Sequence, residues 1–187
     1  TSTAGYGTFY VTGVSYPTAG GKALASTSTT TTVETEVLTF GEHFTLYDDM
    51  SKAGYTFGGW FFDRSFTSPA DSDIIFPDSD ITLYAKWTAI QTTITLNANG
   101  GSGNTTSVAA TYDSSTLNPS SITNPTKTGH TFGGWYSGEG GIGSLVINSS
   151  GKLQANVSGF TGTNGVWKAT TNKTLYAKWT PTVYAIN

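Results

Sequence analysis

The sequence predicts a mainly β protein built from two tandem units, and three observations carry that expectation. The stretch GYTFGGWF at 54–61 returns as GHTFGGWY at 129–136, and each copy is followed by LYAKWT, at 83–88 and 175–180. No segment of useful length keeps the apolar period of an amphipathic helix. Aromatic residues make up 13% of the chain, and Thr, Ser and Gly fill much of the rest, a mixture that favours strands and turns over helices.

The repeat sets the domain organisation. The first unit is expected over 1–88 and the second over 89–180, with 181–187 opening a further repeat or forming a tail. The interval from Trp135 to Trp179 is longer than that from Trp60 to Trp87, which places an insertion at about 138–166 in the second copy. Upstream, GTFYVTG at 7–13 sits where TITLNANGG sits at 93–101, and VLTFGEHFTL at 37–46 where AATYDSSTL sits at 109–117. The first copy also carries a long Thr-rich loop, PTAGGKALASTSTTTT. Each unit therefore reads as strand, hairpin loop, strand, irregular crossover, strand, variable loop, strand. Pro119 and Pro125 leave the crossover of the second copy room for one short helical turn at most.

Strand phase decides what the shared aromatics do. Successive side chains on a strand alternate faces, so Phe57 and Trp60 would fall on opposite sides. A β-bulge at Gly58-Gly59 adds a residue and brings both inward, and Gly133-Gly134 does the same for Phe132 and Trp135. In LYAKW the inward set is Leu83, Ala85 and Trp87, repeated as Leu175, Ala177 and Trp179. The expected core is thus Phe57, Trp60, Leu83 and Trp87 in one unit and Phe132, Trp135, Leu175 and Trp179 in the other. A cysteine-free unit of this size needs such large apolar side chains, each burying on the order of 150–250 Å².

By this point the residues resemble a known family. G-[YH]-T-F-G-G-W-[FY], then a loop, then T-L-Y-A-K-W-T, with ITLNANGGSGN upstream, is similar to the Listeria-Bacteroides repeat, the family of the B repeats of internalin B. The resemblance implies tandem β-grasp-like (ubiquitin-like) small domains with little or no helix, the first and last strands side by side. It also implies extracellular display on a bacterial cell surface, as stalk, spacer or adhesion segment, with no catalytic residues to carry over.

Composition narrows the function classes further. Charged residues are 11% of the chain and the net charge is −3, so no basic field exists to attract nucleic acid. No stretch approaches about 18 uninterrupted apolar residues, so no membrane insertion is expected within the chain. Without cysteine there are no disulfides or thiolate metal sites. No cofactor is expected, and no enzyme activity. His43 and His130 occupy different positions of the two copies, and neither sits in a nucleophile motif.

Three weaker chemistries remain to be placed. Asp71, Asp73, Asp78 and Asp80 crowd one acidic loop region with Asp63, and clustered carboxylates suit calcium, although the spacing is not that of an EF-hand and Asp beside Ser and Pro is ordinary turn chemistry. Lys86 and Lys178 are conceivable isopeptide donors, but alternation puts them opposite the tryptophan face. A carbohydrate-binding module is the alternative to the spacer, with Trp167, Phe160 and Asn164 of the insertion meeting a sugar. Exposure of the Trp167 ring discriminates: a flat exposed ring favours glycan binding, and burial against Leu145, Val146 and Val157 favours extra scaffold; SLVINSSGKLQANV alternates well enough to be a hairpin about NSSGK, which favours scaffold. The partners expected are neighbouring repeats of the same chain, and a host or cell-surface protein or glycan.

Overall fold

The computed structural model describes residues 6–7, 9–12, 38–39, 43–46, 50–75, 77 and 81–185. The chain divides into two compact units, Thr1–Thr88 and Ala89–Asn187. Both are built of strands. The only helical segments among the described residues are two 3-10 turns, Glu139–Gly141 and Thr163–Gly165.

In the first unit the strands are β1 (Tyr6–Gly7), β2 (Phe9–Thr12), β3 (Leu38–Thr39), β4 (His43–Thr45), β5 (Tyr55–Phe61), β6 (Asp73–Ile75) and β7 (Ile81–Ala89). The central sheet has the order β2-β7-β5, while β1 pairs with β3 and β4 with β6. β2 lies parallel to β7, with Phe9 opposite Ile81 and Thr12 opposite Tyr84. Leu46, Met50, Trp60, Ile74 and Leu83 form the buried core, and Phe57, Ala85 and Trp87 pack against it. The Thr-rich loop lies outside the described residues.

The second unit contains β8 (Gln91–Asn97), β9 (Ser107–Thr111), β10 (Leu117–Asn118), β11 (His130–Gly138), β12 (Ile142–Ile147) and β13 (Lys173–Pro181) in one sheet, ordered β10-β9-β8-β13-β11-β12. β8 shows the alternation of a half-buried strand: Thr92, Ile94 and Leu96 point in, and their neighbours point out. It turns into β9 through Ala98-Asn99-Gly100-Gly101. Asn99 (φ 50°) and Gly100 (φ 85°) both take positive φ, and Gly101 N–H donates back to Ala98 O at 3.0 Å. Positive φ at both central residues makes this a primed turn, which Asn-Gly favours, and residues 102–106 then carry the chain into β9. The crossover from β10 to β11 contains no helix.

The Gly-Gly pair is a bulge. Phe132 lies opposite Trp179 and Trp135 opposite Ala177, so three steps along β11 span two along β13. Gly134 absorbs the extra residue at φ 108°, and Gly59 takes φ 97° at the matching place in β5. Trp135 is wholly buried among Ile94, Leu96, Val146, Ile147, Leu175 and Ala177, with Phe132 and Trp179 packed against that core.

The insertion is mostly ordered scaffold. β12 pairs antiparallel with β11, and the chain then reverses at Asn148–Lys152, where Asn148 N–H donates to Lys152 O and Asn148 Oδ1 accepts from Ser150 and Lys152 N–H. GEGGIG, which reads as a flexible loop in the sequence, is anchored at one point. Gly141 is buried at φ 75°, and a Cβ there would lie 2.7 Å from Ala177 O, so only glycine lets this turn lie against β13. At the other end, β13 continues to Pro181 and Thr182 N–H donates to Gly129 O, past the expected boundary at 180.

Candidate functional site

The residues singled out for chemistry do not converge. Asp73, on β6, meets His43, on β4, through Oδ2 and Nδ1 at 2.8 Å, and both side chains are more than half exposed, at 52% and 65%. An exposed pair of this kind is worth little to stability. Asp71 is exposed in the loop before β6. Asp78 and Asp80 lie outside the described residues. Among the described residues no group of three or more His, Asp or Glu side chains is gathered closely enough to hold a metal ion.

Asp63 serves the turn that follows β5. Its carboxylate accepts N–H from Ser68 at 2.7 Å, Thr67 at 3.1 Å and Ser65 at 2.8 Å. The Ser68 N–H, with those of Thr67 and Ser65, holds its carboxyl below the ordinary 3.8, against a smaller opposing effect of burial. A depressed carboxylate contributes stability above its unfolded value and loses it as pH falls through the lower folded value. Asp63→Ala should therefore reduce amide protection at Thr67 and Ser68 near neutral pH, and the difference from the unaltered chain should vanish well below pH 3.8. Hydrogen exchange followed by NMR reads this directly; a difference independent of pH would mean the carboxylate charge is not what holds the loop.

The proposed sugar platform is not on the surface. Trp167 has no exposed area, and its ring packs edge-on to Phe160 with centroids 6.2 Å apart, inside a core that includes Val146 and Val157. Its Nε1–H donates to Thr92 Oγ1 at 2.9 Å, and Thr92 Oγ1–H in turn reaches Ala110 O at 3.3 Å. A ring enclosed in this way cannot stack on a sugar, so the carbohydrate reading loses its main residue. Phe160 is half-buried beneath Lys173, and Asn164 is exposed at φ 59° in a 3-10 turn. Nothing local in the sequence identifies Thr92 as the partner of an indole 75 positions away. Thr92→Val should cost about 1–3 kcal/mol, because it strands a buried N–H while keeping the volume. Urea unfolding of the second unit measures this, and a cost near zero would mean that water reaches the indole.

The two lysines of the LYAKW strands stack on aromatic faces. Lys86 Nζ lies 5.3 Å from the Phe61 ring centroid and Lys178 Nζ 4.8 Å from that of Tyr136. Lys168 pairs with Asp113, which raises its pKa, and it also lies 4.7 Å above the Tyr112 ring. With both partners of this ion pair well exposed to solvent, it has the character of a surface pair.

What does recur is a three-ring cluster. In the first unit Phe57 meets Trp60 at 5.7 Å and Trp87 at 5.3 Å; in the second Phe132 meets Trp135 at 5.3 Å and Trp179 at 5.7 Å, each with edge-on or tilted geometry. Such geometry is favoured by the ring quadrupoles. The molecule is thus a tandem repeat of β units, each organised on the same bulge and aromatic triad. It belongs to the Listeria-Bacteroides repeat domain family, which it matches twice, over residues 13–86 and 93–178. It is 34% identical to internalin H of Listeria monocytogenes over 70% of its own length and 20% of that protein's. It is 32% identical to a protein of Evansella cellulosilytica provisionally named a Gly-rich membrane protein, over 73% of its own length and 13% of the relative's. A second membrane-named protein of that organism is 40% identical over 47% of the chain. The chain thus spans a fifth or less of the curated relatives it matches. No solved structure matches it. No helix among the described residues is long and apolar enough to cross a membrane.

Proposed function

We propose that the chain is a non-catalytic spacer of a bacterial cell-surface protein, two β-grasp-like modules that hold another part of that protein away from the cell. One observation carries this reading: the residues that the units share are those of the core and the bulge, while the loops diverge. A shared core with divergent loops is what selection for fold and length leaves behind, whereas a repeated binding site would keep its loops, since loops carry specificity on rigid scaffolds. The parallel contacts of β2 with β7 and of β8 with β13 support the β-grasp-like arrangement, and in the second unit the crossover from β10 to β11 passes without a helix. The membrane-named relatives and internalin H support an extracellular, surface-attached location. On this reading the working partners are neighbouring repeats of the same chain.

An array of glycans and extracellular-matrix proteins probed with the 187-residue chain tests the proposal. The spacer reading expects no saturable binding. Saturable binding to any one class would make the chain an adhesion module instead, and loss of that binding on changing the loop around Asn164 would return the insertion to the role of a site.

A further inference from the structure

We propose that the parallel pairing of β2 with β7 in the first unit and of β8 with β13 in the second makes each repeat a shear clamp, so that the chain bears tension along its length without unfolding. In the second unit Ile94 to Asn97 lie opposite Lys173 to Tyr176, in parallel register. The first unit repeats the arrangement, with Phe9 to Thr12 opposite Ile81 to Tyr84. Because these strands are parallel, the point where the chain enters a unit and the point where it leaves lie at opposite ends of one strand pair. Tension applied through the chain therefore slides one strand along the other and loads all the hydrogen bonds between them at once. Had the last strand run antiparallel to the first, the same tension would open the pair one bond at a time. Between β7, which ends at Ala89, and β8, which begins at Gln91, only Ile90 intervenes, so load leaving one clamp enters the next with almost no slack.

The second unit reinforces this pair. β8 and β13 are the two central strands of the sheet, flanked by β9 and β11. Ile94, Leu96, Leu175 and Ala177 beneath them are buried, which keeps water from replacing a stretched hydrogen bond. Side chains extend the tie at both ends. Asn172 Oδ1 accepts Thr93 N–H at 2.9 Å, Trp179 Nε1–H donates to Ala98 O at 2.9 Å, and Asn99 Nδ2 donates to Ala177 O at 3.0 Å. The cross-strand connection thus reaches from Thr93 to Asn99 on one side and from Asn172 to Trp179 on the other. Trp179 accordingly has two roles, a ring against the core and an N–H that locks the turn after β8. The clamp rests on the spacer reading only for its biological use; the geometry stands without it.

Single-molecule pulling on the full chain decides the matter, and the absence of cysteine makes it clean, because introduced thiols are the only attachment points. Gln91→Cys with Val183→Cys pulls β8 and β13 in shear; Gln91→Cys with Thr171→Cys holds the pair at one end and peels it. All three positions are exposed, and circular dichroism checks that each variant folds. Each rupture should release about 3.5 Å per enclosed residue, which identifies the second unit. Forced unfolding reads the unfolding barrier, so the shear geometry should rupture at roughly twofold higher force or more. Trp179→Phe, which keeps a ring and removes the donor, should lower the shear force more than the peeling force. Equal forces in the two geometries would overturn the clamp and leave the spacer standing. Saturable binding on the array would remove the spacer and leave the clamp.

Discussion

Trp135→Ala should destabilise the second unit by about 3–5 kcal/mol, the range for truncating a large buried aromatic without collapse of the site. Trp135 has no exposed area, lies opposite Ala177 on β13, and meets Phe132 edge-on at 5.3 Å. Ala177, opposite it, is itself wholly buried and too short to fill the gap that the indole would leave. Set against a typical domain stability of roughly 5–15 kcal/mol, the loss is a large fraction of the total. The indole Nε1 is buried with no acceptor among the described residues, so its contribution is packing and not hydrogen bonding. Trp135→Phe should for that reason cost clearly less than Trp135→Ala. Urea titrations read through the amide signals of Leu175 and Ala177, with Leu83 reporting the first unit, measure both variants. A loss below about 1 kcal/mol would mean that the second unit is not organised around this ring.

The second large effect concerns the bulge. Gly134 has φ 108°, outside the region that residues with a Cβ occupy, and an added Cβ would lie 2.6 Å from Leu145 Cδ1 and 2.8 Å from Ile147 O. The leucine methyl can yield, but the carbonyl belongs to the backbone of β12 and cannot. Gly134→Ala therefore combines conformational strain with a clash and should cost about 2–4 kcal/mol. Gly59→Ala meets the same strain at φ 97° with nothing nearer than 3.9 Å, and should cost about 1–2 kcal/mol. Gly133→Ala meets no atom closer than 3.6 Å and has ordinary φ, so it should fall within roughly 0.5 kcal/mol of the unaltered chain. The order Gly134, Gly59, Gly133 is the content of the prediction. Equal costs at Gly133 and Gly134 would place the bulge elsewhere.

These two positions also show how much the sequence discloses. Alternation along a strand is a local rule, and Phe-Gly-Gly-Trp conflicts with it unless a residue is inserted, so the bulge is legible from four letters. The duplicated LYAKW strands are legible for the same reason, since their small, buried Ala177 alternates with Tyr176 and Lys178. The Asn-Gly hairpin after β8 follows from the positive φ those residues tolerate. Local rules failed where a residue's environment comes from far along the chain. Trp167 stands beside an insertion whose alternation favours a hairpin about NSSGK but leaves the exposure of the ring open, and Thr92 and Val146 enclose it. GEGGIG carries the composition of a free loop, yet its Gly141 serves close approach to β13. His43 and Asp73 meet because β4 and β6 pair, a contact across 30 positions that no spacing rule anticipates.

The sequence by itself determined that there are two units, that both are β, which aromatic residues recur and where the strand must bulge, because each of these depends on neighbours within a few residues. It also left no basic field or thiolate chemistry to consider. Only the tertiary structure decided that Trp167 faces inward and that, among the described residues, the acidic and histidine side chains form no group able to hold a metal ion. It decided as well that β2 and β7, and β8 and β13, pair in parallel. Those features depend on pairings between segments up to about 80 residues apart, whose loop-closure entropy is recovered only when the whole sheet and its core assemble together.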